Sequence, residues 1–342
     1  MGAFWSQLLP PPPTFTEFNI PALHGRVFII TGGNAGVGFC LAKMLYSAGG
    51  CTIYIASRSA SRIQSSISEI STTASTPAAT PSTLKPLVVD FADLRTIAPA
   101  VSEFLAHEQR LDVLWNNAGV AQQPPGSTTA QGYEIHMGTN CLGPFLFTQL
   151  LLPLLTKTAQ DAPSSSIRVI FTSSQIIDTT GPMGGIRLSE QEAHATHLHT
   201  AMQDKNYTYA CSKIGNWYLA AELDKRVRAA GVVSVAVNPG NVRTKGWDPV
   251  SWDAKLLIAP FLYDPQMGAY TELWAGLAEQ VTTSDGGKLG VPWGGRWHPG
   301  PRRDLLDGLR RKVDWGSGVA GEFWEWCEVQ TRGFAGDEER GD

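Results

Sequence analysis

The run Thr31-Gly32-Gly33-Asn34-Ala35-Gly36-Val37-Gly38 constrains this chain more than any other part of it. It follows an apolar stretch, Val27–Ile30, and runs directly into a helical pattern through Leu41, Ala42 and Leu45. In such a strand–loop–helix turn Gly32 lets the chain turn sharply. Gly36 lets the backbone approach a pyrophosphate with no Cβ in the way, and Gly38 lets the helix sit close to the sheet. Free N–H groups and the positive end of the helix dipole then face the phosphates. The spacing is GxxxGxG rather than the GxGxxG of the standard dinucleotide fingerprint. The strand–loop–helix context is what separates a dinucleotide site from a structural glycine turn.

The same alternation continues. Thr52–Ala56, Pro86–Val89, Leu111–Trp115, Ile167–Thr172 and Val232–Val237 read as further strands, with longer helical patterns between them and a last strand at Leu289–Val291. Continuous Val/Ile runs mean strands buried on both faces, and helices between strands mean βαβ crossovers. The expectation is an α/β fold, a doubly wound parallel sheet with helices on both faces, forming one domain over 24–300. Residues 1–23 read as a Pro-stiffened arm and 301–342 as a helical tail, with substrate-side loops at 175–208 and 245–285. Ser71–Thr83 is small, polar and Pro-containing, and reads as a flexible loop.

Composition narrows the function classes. With 43% hydrophobic and 17% charged residues, the balance is that of a globular chain. A net charge of −4 speaks against a strongly basic nucleic-acid binder, so no nucleic-acid partner is expected. The five cysteines form no CxxC pair, which favours a reducing, cytoplasmic setting over a disulfide framework or a zinc site. No run of ~18 apolar residues appears, so no transmembrane segment is expected. In the arm, Phe4, Trp5, Leu8 and Leu9 either pack on the body or touch a membrane surface.

The second strand ends in Ser57-Arg58, where an NAD site would carry an Asp or Glu for the ribose hydroxyls. A guanidinium suits a 2′-phosphate, so the reading is NADP(H), against a plain solvated loop residue. Arg62, one turn on, shares the role or is surface. Tyr209-Ala210-Cys211-Ser212-Lys213 places a phenol and an ammonium on one helix face. A nearby ammonium favours the phenolate and lowers the tyrosine pKa towards usefulness as an acid or base. Alone, YxxxK is equally a surface pair.

It does not stand alone. TGGNAGVG, Asp90 after the third strand, Asn116-Asn117-Ala118-Gly119 after the fourth and Asn140 in MGTNCLGPF occur in this order. Ser173-Ser174 after the fifth strand, YACSK, and Asn238-Pro239-Gly240 after the sixth complete the series. The set resembles the short-chain dehydrogenase/reductases, and within them the retinol-dehydrogenase-like branch in a form common in filamentous fungi. That resemblance implies a single-domain Rossmann fold and a set of roles. Tyr209 would be the general acid in carbonyl reduction and the base in alcohol oxidation. Lys213 would lower its pKa and bind the nicotinamide ribose. Ser174, rather than Ser173, would hydrogen-bond the substrate carbonyl, and Asn140 would hold a water in a proton relay to Lys213. Gly32, Gly36, Val37 and Gly38 would cradle the pyrophosphate, Asp90 would contact adenine, and Asn117, Ala118 and Gly119 would line the ribose. Pro239, Val242 and Thr244 would cover the nicotinamide amide and pyrophosphate. The implied partner is a small carbonyl or alcohol substrate, with a homo-oligomer left open because dimers and tetramers are common in the family.

Trp115, where an aliphatic residue is more usual, reads as packing. Glu190, Glu192, His194, His197 and His199 match no metal motif and read as a solvated loop, so no metal is expected. Trp247, Trp252, Phe261, Tyr263 and Trp274 either line an apolar substrate pocket or pack the core. The leading reading is an NADP(H)-dependent carbonyl reductase or alcohol dehydrogenase. A non-catalytic nicotinamide-binding regulator and a dehydratase or isomerase on the same fold are the alternatives.

Overall fold

Seven strands form one parallel sheet in the order β3-β2-β1-β4-β5-β6-β7. They are β1 Val27–Thr31, β2 Thr52–Ser57, β3 Thr83–Val88, β4 Val113–Asn116, β5 Ile167–Thr172, β6 Val232–Val237 and β7 Leu289–Gly290. The computed structural model describes residues 7–73, 80–186, 204–243 and 259–336. The third strand starts three residues before the expected Pro86, and the fourth starts at Val113 rather than Leu111. Pro86 cannot donate to a ladder, and it sits on the edge strand, where that donor is dispensable.

Alternation along each strand feeds two cores. Ile29, Leu114, Val169 and Phe171 face one side, while Phe28, Ile30, Val113, Trp115 and Ile170 face the other. The first side is covered by α3 (Ile97–His107), α4 (Ile135–Asp161), α6 (Lys205–Val227) and the tail helix α9 (Val319–Thr331). The second is covered by α1 (Gly36–Ala48), α2 (Ala60–Thr73) and α7 (Pro265–Leu277). Two short helices, α5 (Ile176–Thr179) and α8 (Arg303–Leu309), complete the described set. Helix α4 has the length and apolarity of a membrane span, yet 78% of its most apolar window is buried within the protein. Asn140, Thr148, Gln149 and Lys157 hide that apolarity in the linear sequence.

The segments read as loops hold regular structure as well. Helix α5 begins at Ile176, two residues after Ser174, α6 begins at Lys205 under the cap of Asp204, and α7 lies within 245–285. Arg168, buried in β5, anchors α7 by donating to the carbonyls of Ala275, Ala278 and Val281 at 2.8–2.9 Å. Trp115 packs edge-on to Phe28 and donates its indole N–H to the Glu272 carbonyl at 2.9 Å. A Cβ on Gly276 would run into that indole, so the tryptophan and the glycine fit one another. Trp274 lies in the core against Trp297, and Tyr263 packs on Trp293. Of the aromatics left open, Trp274 is a core residue and Phe261 and Tyr263 are half-buried, while Trp247 and Trp252 lie outside the described residues.

Described residues of both the arm and the tail pack on the body. Gln7 of the arm is buried and accepts a 2.8 Å bond from Asn238, and the Leu8 carbonyl accepts from Tyr263. Leu9 is exposed, and Phe4 and Trp5 lie outside the described residues. In the tail, Trp324 packs edge-on to Phe145 of α4, and Arg226 of α6 lies over its ring.

Candidate active site

In a parallel sheet every strand ends at the same edge, so the residues following the strands meet there. The strand order reverses direction between β1 and β4, and a crevice opens at such a point. The glycine loop, Asn117–Gly119, Ser174 and Pro239 all follow strand ends on this edge.

The loop after β1 is shaped by close approach. Gly32 has φ +69° and donates to the Ala56 carbonyl at 2.7 Å. A Cβ on Gly38 would lie 2.6 Å from Asn117 Nδ2 and 2.7 Å from the Gly32 carbonyl oxygen. Asn117 in turn donates to the Thr31 carbonyl at 2.9 Å, and Thr31 Oγ1 accepts from the Ala118 N–H at 2.9 Å. The loop after β4 therefore braces the loop after β1. Helix α1 opens at Ala35 with no side-chain cap and no acid in its first turn, which leaves its first N–H groups for a ligand. These features fit a dinucleotide pyrophosphate.

Arg58 follows β2 and is exposed, with no hydrogen bond or ion pair among the described residues. Arg62 is exposed too. Asp90 is half-buried and accepts from the Ala92 N–H at 2.9 Å. Val242 is buried beside Tyr263, while Pro239 remains partly exposed. Thr244, Glu190, Glu192, His194, His197 and His199 lie outside the described residues.

Ser174, Tyr209, Lys213 and Asn140 come together at the ends of β4 and β5. The Ser174 and Tyr209 hydroxyls are hydrogen-bonded to each other. Ser173 points elsewhere: its buried hydroxyl donates to the Lys213 carbonyl at 2.8 Å. The pair of serines thus divides into one facing Tyr209 and one supporting α6. Lys213 Nζ lies 5.6 Å from the centre of the Tyr209 ring and donates to the Thr172 carbonyl at 2.8 Å.

One expectation needs correction. The tyrosine pKa is not lowered: burial pushes Tyr209 up to about 12, and the Ser174 hydrogen bond only partly opposes it. Lys213 donates one of its three N–H groups to the Thr172 carbonyl, and its own pKa falls to about 8 because burial disfavours the charge. The Asn140 Nδ2 donates to the Val120 carbonyl at 3.0 Å and to Ser212 Oγ at 2.9 Å, and its Oδ1 accepts from the Val120 N–H at 2.8 Å, so the side chain braces the site. Asn140 lies in Gly138–Leu142, a π-helical stretch inside α4; such bulges are frequent at functional sites.

Sequence reasoning passed over two groups here. His136 is buried, with its ring edge-on to Tyr209 at 5.8 Å and Nδ1 2.7 Å from Glu134 Oε1. It precedes Asn140 by one helical turn, a spacing that could have flagged it. Glu272, a buried acid bonded to Thr172, left no signal in the sequence because α7 is far from the motifs along the chain.

The short chain dehydrogenase family matches residues 26–186. The chain is 45% identical to the short-chain dehydrogenase/reductase iacJ of Pestalotiopsis fici, over 95% of this chain and 96% of the relative. It is 41% identical to a short-chain dehydrogenase/reductase of Phomopsis amygdali, over 96% of each. Among solved structures, the NADPH-bound carbonyl reductase from chicken fatty liver shares the fold with a TM-score of 0.57 at 21% identity, over 78% of this chain and 96% of that one. The Pseudomonas aeruginosa RhlG/NADP complex does so with a TM-score of 0.58 at 22% identity, over 84% and 100%. With the motif residues gathered at one sheet edge and relatives matching nearly end to end, the chain belongs to the short-chain dehydrogenase/reductase family.

Proposed function

We propose that the protein is an NADP(H)-dependent oxidoreductase that reduces a ketone or aldehyde, or oxidises the corresponding alcohol, on an apolar small molecule. The observation that carries this reading is the hydrogen-bonded Ser174–Tyr209 pair with Lys213 beside it, on the same edge as the glycine loop. The nicotinamide supplies or accepts the hydride when bound, which leaves the chain to orient groups and move one proton.

Burial keeps the Tyr209 phenol protonated across the neutral range, so it serves as the acid towards a carbonyl oxygen. Ser174 offers a second hydroxyl to the same oxygen, and two donors stabilise the charge that develops there. Lys213 binds the nicotinamide ribose and places its ammonium near the phenol. Asn140 ties Val120 to Ser212, the residue before Lys213. Gly32, Gly36, Val37 and Gly38 receive the pyrophosphate, Asp90 the adenine, and Asn117, Ala118 and Gly119 the ribose. Pro239, Val242 and Thr244 close over the nicotinamide.

Arg58 supports NADP(H) over NAD(H), since a free guanidinium forks onto a 2′-phosphate. Cells generally keep NADP reduced, which favours the reductive direction. The named relatives are fungal, and a secondary-metabolite ketone is the substrate class we favour. Five free thiols support a reducing, cytoplasmic setting.

The test is a fluorescence titration with NADPH and with NADH, followed by turnover on a carbonyl and alcohol panel. NADPH is expected to bind more tightly, and Arg58→Ala to weaken it about tenfold without affecting NADH, a loss of one charge-assisted contact. Equal NADH binding overturns the role of Arg58. Absence of turnover with either nucleotide overturns the enzymatic reading.

A further inference from the structure

Behind the cluster lies an acid that the chemistry above does not use. Glu272 on α7 has no exposed surface. Its Oε1 accepts a 2.7 Å hydrogen bond from Thr172 Oγ1, while its Oε2 has no partner. Thr172 is the last residue of β5, and its carbonyl accepts from Lys213 Nζ at 2.8 Å and from Asn216 Nδ2 at 2.8 Å. One residue therefore holds the lysine through its backbone and the acid through its side chain.

A buried carboxylate with an unpartnered oxygen and a buried ammonium are each costly alone, and opposite charges offset part of that cost. The two groups act on each other: Lys213 favours the charged form of Glu272, and Glu272 favours that of Lys213. Burial opposes both charges, raising Glu272 to about 7 and lowering Lys213 to about 8.

No other charged group on the elements packed around Glu272 competes for this role. Strands β4 and β6 carry no titratable side chain. On β5, Arg168 is committed to the three carbonyls at the end of α7. On α1, Lys43 and Cys40 interact electrostatically with each other, Cys40 also with Asp264, and Tyr46 is the remaining titratable side chain. Cys141, which faces Lys213 from α4, is held as a thiol by burial and donates to the Ser212 carbonyl.

We propose that Glu272 is the buried counter-ion of Lys213 and, acting through Thr172, a positioning residue for the Lys213–Tyr209 pair. This rests on Lys213 serving in catalysis as described above. Above about pH 7, where Glu272 is charged, it holds the ammonium protonated and so preserves its field at the phenol. Without that charge Lys213 gives up its proton at lower pH, and the alkaline limit of carbonyl reduction moves down with it.

The deciding experiment labels lysine with 15N and follows the Lys213 Nζ resonance, identified by its loss in Lys213→Met, through a pH titration of the full-length protein. In Glu272→Gln, which keeps an acceptor for Thr172, the Lys213 midpoint is expected to fall by about one pH unit or more, as removal of a close opposite charge does. An unmoved midpoint in the folded variant overturns the proposal. Should Glu272→Gln fail to fold, the reciprocal reading is the Glu272 Cδ resonance of 13C-labelled protein, whose midpoint should rise by about one pH unit or more in Lys213→Met; an unmoved Glu272 midpoint overturns the proposal in the same way. In parallel, the alkaline limb of the reduction profile should shift by the same amount. A shifted midpoint in a protein without turnover upholds the counter-ion and overturns the catalytic reading. Turnover with an unmoved midpoint overturns the counter-ion alone.

Discussion

Along β1 the site is made of missing atoms, and along β5 and α6 it is made of side chains tied to one another. On the β1 side, Gly32 and Gly38 leave space that a Cβ would fill, α1 begins without a cap, and Arg58 stands in solvent. On the β5 side, Ser173, Thr172, Asn140, Ser212 and Lys213 are buried and joined by hydrogen bonds of 2.8–3.0 Å. A phosphate-binding surface gains by offering unpaired N–H groups, so it is left open. A proton-transfer site gains by holding each group in one geometry, so it is overdetermined. The two sides should therefore answer differently to substitution.

The largest effect is expected at the overdetermined side. Tyr209→Phe should lower kcat about 10³-fold while NADPH fluorescence titrations stay unchanged, since only the transferable proton is lost. Retained turnover would show that Tyr209 is not the acid. The serine pair sharpens the contrast. Ser174→Ala should cost about 10²-fold in kcat, the usual loss for one donor to a developing oxyanion. Ser173→Ala should leave kcat within a few-fold and cost about 1 kcal/mol in denaturant unfolding, the worth of one buried hydrogen bond. Equal kinetic losses for both would erase the division between them.

On the open side, Gly38→Ala should weaken NADPH binding and cost about 1–3 kcal/mol, since Asn117 and the Gly32 carbonyl must give way. Little change in either would mean that the loop is looser than its contacts imply. The smallest effect is in pH. Burial lowers the Lys213 pKa from 10.5 to about 8, so the ammonium is present below that value and lost above it. The rate of reduction should be flat through neutrality and fall above about pH 8. Taken alone, the same shift makes stability rise with pH between about 8 and 10.5, where the unfolded chain keeps a lysine proton that the folded one has lost; burial of Cys40, Cys51 and Tyr54 acts the other way above about pH 9, so the lysine's share is read as the difference from Lys213→Met. Initial rates and thermal unfolding across pH 6–10.5 check both directions.

Much of the open side was legible in the sequence, because a glycine required by close approach is visible as a letter. The GxxxGxG run, the absent carboxylate after β2 and the NNAG motif each mark a backbone need. The overdetermined side was legible only as residue types. Tyr209, Lys213, Ser174 and Asn140 were identifiable, but which protons they spend, and on whom, was not. The expectation that Lys213 lowers the tyrosine pKa left out burial, which pushes Tyr209 up to about 12, while the ammonium beside it donates to Thr172. The loops around the site were misjudged for a similar reason. Helix α7 is stabilised by packing on Trp115 and by Arg168 at its end, contacts that no local propensity carries.

Taken alone, the sequence determined the strand–helix alternation, the parallel sheet and the site edge, because hydrophobic periodicity and glycine placement are local and survive linear reading. Only the tertiary structure decided that Gln7 packs beside Asn238 and that the tail helix covers α4 and α6. It alone brought Glu272 against Thr172, 100 residues away along the chain. Contacts of that range depend on how the whole sheet is assembled, and a buried charge finds its partner only when both have left water.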